Sequence, residues 1–248
     1  MKALTLEGVT KSFGALRASD DVTIAIEANQ CHAVIGPNGA GKTTLIGQIT
    51  GEIRPDAGRI RFFDQDITDW SVPRRALAGL GRSFQITQLC ADFSALDNVA
   101  LAVQARQGHS YRFLRAAHSD KRLRDPAMAA LERVGLAGRA NTRVDVLSHG
   151  ERRQLELAAA LAGEPRMLVL DEPMAGMGPQ ESERMIAILQ SLRGKVTILL
   201  VEHDMDAVFA LADRISVLVN GAVLMTGEPA EVRADPSVRA AYLGAPAP

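Results

Sequence analysis

Gly36-Pro37-Asn38-Gly39-Ala40-Gly41-Lys42-Thr43-Thr44 is the stretch that decides the fold. From Gly36 to Thr43 it satisfies G-x-x-x-x-G-K-[ST]. Cys31-His32-Ala33-Val34-Ile35 precedes it, an apolar run suited to a buried strand, and Thr43-Thr44-Leu45-Ile46-Gly47-Gln48-Ile49 can carry a helix. Strand, glycine loop and helix together form the setting this motif needs. Glycines let successive backbone N–H groups turn inward around phosphate oxygens, and the helix N-terminus adds positive partial charge. Residues 36–44 therefore predict a nucleoside triphosphate site. Lys42 would reach the β- and γ-phosphates, and the Thr43 hydroxyl would bind Mg²⁺.

Working outward, the 248-residue chain has room for one large domain, or one domain with a subdomain. Hydrophobic residues at 47% and charged residues at 23% describe an ordinary globular protein. The net charge of −1 argues against non-specific nucleic-acid binding, and 4% aromatics argue against a base-stacking platform for single strands. Cys31 and Cys90 fit no metal spacing and suggest a reducing compartment. Met1-Lys2-Ala3-Leu4-Thr5-Leu6-Glu7 lacks the apolar stretch of a signal peptide, and no run is long enough to span a membrane.

Residues 3–7 and 22–26 alternate at period two, as half-exposed strands do, and 59–63 reads as another strand. Met167-Leu168-Val169-Leu170 and residues 196–201 are continuously apolar, the mark of parallel strands buried on both faces. Residues 180–192 between them predict an amphipathic helix, giving a strand–helix–strand unit. Residues 94–146 hold helical patterns at 96–105 and 126–134 and little strand character, so they read as a helical insert. The basic segment 111–124 has two readings, a solvated helix face or contact with a partner or lipid headgroups. Residues 220–225 predict a closing hairpin and 235–243 a short C-terminal helix.

The strand 167–170 runs into Asp171-Glu172-Pro173. Asp171 would hold Mg²⁺, while Glu172, pointed the other way by strand alternation, would polarise an attacking water. Leu147-Ser148-His149-Gly150-Glu151 stands before a helix expected at 155–162, with Ser148 as a candidate cap.

These segments resemble the ATP-binding subunits of ABC transporters, over essentially the whole chain. Leu147-Ser148-His149-Gly150-Glu151 is similar to that family's Leu-Ser-Gly-Gly-Gln signature, with His149 for the first glycine and Glu151 for the glutamine. The resemblance implies that Ser148 and Gly150 approach the γ-phosphate, with His149 between them in the same nucleotide-binding segment, that Gln85 senses Mg²⁺ and the γ-phosphate, and that His203 in Val201-Glu202-His203-Asp204 contacts the γ-phosphate. Phe13 would stack on adenine. Ala175-Gly176-Met177-Gly178 stands where many relatives have Ser-Ala-Leu-Asp.

The implied fold is α/β, a P-loop NTPase with a RecA-like core, an N-terminal antiparallel β-subdomain and a helical subdomain insert. Residues 1–84 and 147–235 would form core and β-subdomain, 85–146 the helical subdomain, and 236–248 a C-terminal extension of one ATP-binding domain. Gly81-Arg82-Ser83-Phe84-Gln85, Glu172-Pro173-Met174-Ala175-Gly176-Met177, Val201-Glu202-His203-Asp204-Met205 and Ala240-Ala241-Tyr242-Leu243-Gly244 resemble the branched-chain amino acid importer group. That implies ATP and Mg²⁺ as cofactors. The implied partners are permease subunits, a second ATP-binding subunit and, indirectly, a periplasmic binding protein, with a place on the cytoplasmic face of the inner membrane. Urea or amide import and lipopolysaccharide export are rival roles within the family. A soluble non-transport ABC ATPase is a rival outside transport, and a small-molecule kinase would need neither 147–151 nor His203.

Overall fold

The computed structural model describes residues 1–82, 89–107 and 120–243. Gln85 with Ser83 and Phe84, residues 111–119 of the basic segment, and the end from Gly244 lie outside the described residues. The described residues divide into two units, and each is described by itself. The first comprises Met1–Leu80, Met167–Glu172 and Leu192–Pro248; the second comprises Gly81–Arg166 and Pro173–Ser191.

In the first unit, β1 (Lys2–Phe13), β2 (Leu16–Glu27), β4 (Ala57–Phe62) and β5 (Gln65–Asp66) form an antiparallel sheet in the order β2-β1-β4-β5. The second sheet runs β10-β9-β3-β8-β7-β6. Its strands are β3 (Cys31–Ile35), β6 (Leu80–Arg82), β7 (Met167–Asp171), β8 (Thr197–Val201), β9 (Arg214–Val219) and β10 (Ala222–Gly227). β9, β3, β8 and β7 are mutually parallel, and β10 returns antiparallel through an Asn220-Gly221 turn. Both turn residues have positive φ, the requirement that makes Asn-Gly a hairpin signal.

Every residue of β3, β7 and β8 is buried, as their unbroken apolar runs require. Alternation along β3 divides two cores. Val34 joins Leu4, Ile26, Ile46 and Leu199, whereas Ala33 and Ile35 join Val208, Ile215 and Val232. Val208 belongs to α7 (Met205–Leu211) and Val232 to α8 (Pro229–Ala234). The C-terminal helix α9 spans Pro236–Leu243.

Helix α1 (Lys42–Thr50) follows the glycine loop and stops at Gly51, whose left-handed φ of 89° lets its N–H return to Gly47 O at 3.0 Å. Beyond it, α2 (Val72–Leu77) contributes the buried Arg75. Its guanidinium donates to Gln48 O (2.7 Å), Ile49 O (2.6 Å), Thr68 O (2.9 Å) and Trp70 O (3.0 Å). A cation thereby closes the negative end of the helix whose other end faces the phosphate loop.

In the second unit, α3 (Ala95–Gln107), α4 (Lys121–Arg133) and α5 (His149–Ala162) pack on one another. Leu96, Val99, Leu131, Leu155 and Leu161 are among their buried residues. α4 begins five residues before the expected start at Pro126, capped by Asp120, which accepts from the Arg122 N–H. Proline leaves the carbonyl four residues earlier, that of Arg122, without a helical donor. Gln107 Nε2 supplies one at 3.2 Å. The last helix of this region is α6 (Pro179–Leu192).

Candidate functional site

The sheet register assembles the first group of site residues. Val34 of β3 pairs with Val201 of β8, and Val201 pairs with Asp171 of β7. Three adjacent parallel strands therefore end level, and their next residues are the glycine loop, Glu202-His203 and Glu172. Ligands in open α/β sheets sit outside these carboxyl ends.

The glycine loop is fixed from several sides. Gly41 has φ of 100°, and a β-carbon there would lie 2.1 Å from Ala18 O, so only glycine fits. Ala40 O accepts from the Gly221 N–H at 3.0 Å, and Gly221 O accepts from the Asp20 N–H at 2.8 Å. Lys42 starts α1 and folds back over the loop, its Nζ donating to Gly36 O (2.8 Å) and Pro37 O (3.1 Å). Burial lowers the Lys42 pKa, while the Glu172 and Asp171 charges act in the opposite sense.

Asp171 is buried at the end of β7, and Glu172 is half-buried. The contrast does not come from continued strand alternation, as the sequence suggested. Glu172 takes a left-handed φ of 49°. Its N–H donates to Val201 O at 2.8 Å, which holds this strained turn against β8. His203 Nδ1 then lies 3.8 Å from Glu172 Oε1 and 3.7 Å from Glu202 Oε2. Glu202 is buried and accepts the His203 N–H at 3.1 Å, which orients the histidine segment.

Loop amides, a lysine ammonium, the Thr43 hydroxyl and two carboxylates make a donor set that suits a polyphosphate with a hard divalent cation. Phe13 lies on the same unit. It pairs with Leu16, two residues from Ala18, whose carbonyl packs against Gly41. The ring is half exposed.

The second unit carries the other group. Residues 148–151 do not precede a helix at 155; they are its beginning. Ser148 is the N-cap of α5 in a capping box: its Oγ accepts from the Glu151 N–H (3.2 Å) and Glu151 Oε2 accepts from the Ser148 N–H (2.9 Å). Glu151 also pairs with Arg139 at 3.0 Å. Ala175 O can only accept, so His149 Nε2 carries the proton of their 3.1 Å bond. The ring sits where a β-carbon on Gly176 would come within 3.1 Å of it. His149 and the unusual loop 175–178 are thus fitted to each other.

Glu181, which the sequence reading passed over, joins two helix starts. Its Oε2 accepts from the Gly178 N–H at 3.3 Å, and Ser148 Oγ donates to its Oε1 at 3.4 Å. Ser148, Gly150, Glu151, Gln154, Glu181 and Arg184 line a cavity of about 300 Å³ at the α5 N-terminus. Gly178-Pro179-Gln180-Glu181 has capping-box spacing, the one signal that could have drawn attention to it.

The model of the ABC transporter family matches residues 19–175. The chain belongs to the ABC transporter family. A model described as "Branched-chain amino acid ATP-binding cassette transporter" matches residues 222–248 of this ABC chain. It is 36% identical to the high-affinity branched-chain amino acid transport ATP-binding protein BraF of Pseudomonas aeruginosa, covering 97% of each chain. It is 35% identical to LivG of Escherichia coli K12, also over 97% of each. A crystal structure of a nucleotide-free ATP-binding cassette from an ABC transporter matches it with a TM-score of 0.87 and 30% identity, over 98% of this chain and 100% of that one. The α/β P-loop fold stands, with its antiparallel N-terminal sheet and its largely parallel second sheet. Among the described residues no helix is long and apolar enough to cross a membrane.

Proposed function

We propose that this chain is the ATP-hydrolysing subunit of an importer for branched-chain or related amino acids. The level ending of β3, β8 and β7, which brings the glycine loop, His203 and Asp171-Glu172 to one sheet edge, carries the hydrolytic part of that reading. The relatives named BraF and LivG support the amino-acid part. The whole chain acts as one ATP-binding domain, with residues 85–146 as its helical subdomain and 236–248 as an extension.

In this reading Lys42 exchanges the carbonyls of Gly36 and Pro37 for β- and γ-phosphate oxygens. Gly36, Pro37, Asn38, Gly39, Ala40, Gly41 and Thr44 line the phosphates, and Phe13 stacks on the base. Glu172 accepts a proton from the attacking water, and His203 orients toward the γ-phosphate beside it. Thr43, Asp171 and Gln85 are the residues that would hold Mg²⁺, which supplies charge neutralisation on the phosphates. Ser148, His149 and Gly150 serve the nucleotide of a second ATP-binding subunit, so closure of the pair completes each site. Permease subunits hold the pair at the cytoplasmic face of the membrane and are served by a periplasmic binding protein.

The test is uptake of radiolabelled leucine in the source organism. Loss of the gene should abolish uptake, and wild type, but not Glu172→Gln or Lys42→Ala, should restore it. Normal leucine uptake with lost urea uptake would favour the urea-importer reading.

A further inference from the structure

The aromatic at the end of β1 is steadied by a carboxylate from a different turn. Asp56 precedes β4. Its Oδ1 takes Lys11 Nζ at 2.7 Å, its Oδ2 accepts the Ser12 N–H at 2.8 Å, and its own N–H donates to Thr10 O at 2.8 Å. The three residues before Phe13 are each tied to Asp56. Lys11 Nζ in turn lies 5.6 Å from the centroid of the Phe13 ring, a cation–π distance.

The β1–β2 ladder reaches Phe13, which pairs with Leu16, but it does so through irregular register. The β1–β2 register shifts between Val9 and Lys11 and again between Lys11 and Ser12, and the β1–β4 pairing ends at Thr10 with Ala57. Where the β1–β2 register shifts and the β1–β4 pairing ends, Asp56 adds its own ties to the strand. The Lys11 hydrogen bond, followed by the Ser12 N–H, holds the Asp56 carboxyl below its ordinary range, so the brace is ionised at neutral pH. The Lys11 cation stands over the ring, and Phe13 is still half exposed for a flat ligand.

Resting on the reading of Phe13 as the base platform, we propose that Asp56 is a positioning residue that orients the Phe13 ring through Lys11 and Ser12. Asp56 thereby sets affinity for the nucleobase and leaves affinity for the phosphates alone. A merely structural role would move both together.

The test titrates the full chain calorimetrically with ATP and, separately, with inorganic tripolyphosphate, both with Mg²⁺. Asp56→Asn should weaken ATP by about 3- to 10-fold, the scale of one lost aromatic contact, and leave tripolyphosphate unchanged. Lys11→Met, which breaks the same brace from its other side, should repeat the selective loss. Asp56→Asn added to Phe13→Ala should cost nothing beyond Phe13→Ala, because Asp56 acts through the ring. Equal weakening of both probes, an unchanged ATP affinity, or full additivity with Phe13→Ala would overturn the proposal. If Phe13→Ala itself spares ATP, base stacking on Phe13 fails and the proposal with it. A normal loss in Phe13→Ala beside a silent Asp56→Asn removes Asp56 alone.

Discussion

A β-carbon on Gly150 would lie 2.4 Å from Glu181 Oε1. Glycine at this point of α5 therefore admits a carboxylate to the helix N-terminus, where free N–H groups and the macrodipole favour an anion. On the proposed mechanism that position receives a γ-phosphate from the opposing subunit. Glu181→Gln keeps the shape and removes the competing charge. It should lower the ATP concentration needed for subunit closure by about 2- to 5-fold, the range of a charge at a helix terminus. Sedimentation across an ATP series reads this, and an unchanged or higher ATP requirement counts against competition.

Glu151, which replaces the family glutamine, serves the same helix start differently. Glu151→Gln keeps the capping box and loses only the partly exposed pair with Arg139, so its stability cost should stay below about 1 kcal/mol. Glu151→Ala also breaks the box and should cost about 1 kcal/mol more. Urea unfolding of the two variants separates the contributions.

Arg75 predicts a larger loss. Replacing it with methionine keeps much of the volume while leaving four carbonyls, among them two near the end of α1, without their donor. The cost should be about 3 kcal/mol or more in a urea melt, and a loss under about 1 kcal/mol would show that water replaces the guanidinium.

His32 sets an acid limit. Burial, and secondarily the Arg214 charge, lower its pKa from 6.5 to about 4, and its Nε2 is engaged by Ser216 Oγ at 2.8 Å. The unfolded chain thus binds a proton there that the folded chain refuses. His32 costs nothing above pH 6.5; stability falls as pH drops from 6.5 to about 4 and is not lowered further by this group below that. The full span corresponds to about 3 kcal/mol. His32→Gln should flatten that part of the stability–pH curve, and an unchanged slope would assign it to other groups.

Much of this was legible in the sequence because it rests on local patterning. Continuous apolar runs announced β3, β7 and β8, and the glycine spacing announced α1. The signature segment and its cap at Ser148 were recognisable by their residues, but the helix was expected only from 155, since His149 and Gly150 are poor helix formers. The left-handed Glu172 was hidden, since its conformation is imposed by Val201 of a strand distant in sequence. No motif in the sequence gives Arg75, Asp56 or Glu181 a role. Each acquires its partner only through tertiary packing, Arg75 from α1, Asp56 from β1 and Glu181 from α5.

The most direct measurement is sedimentation of full-length Glu172→Gln with ATP and Mg²⁺, alone and mixed with any second ATP-binding chain that co-purifies with it. Two nucleotide sites shared between subunits predict a dimer that forms only with ATP and is lost when Lys42→Ala or Ser148→Arg is added. A chain that stays monomeric with ATP in both mixtures, while still binding the nucleotide, would contradict a site completed by a second subunit.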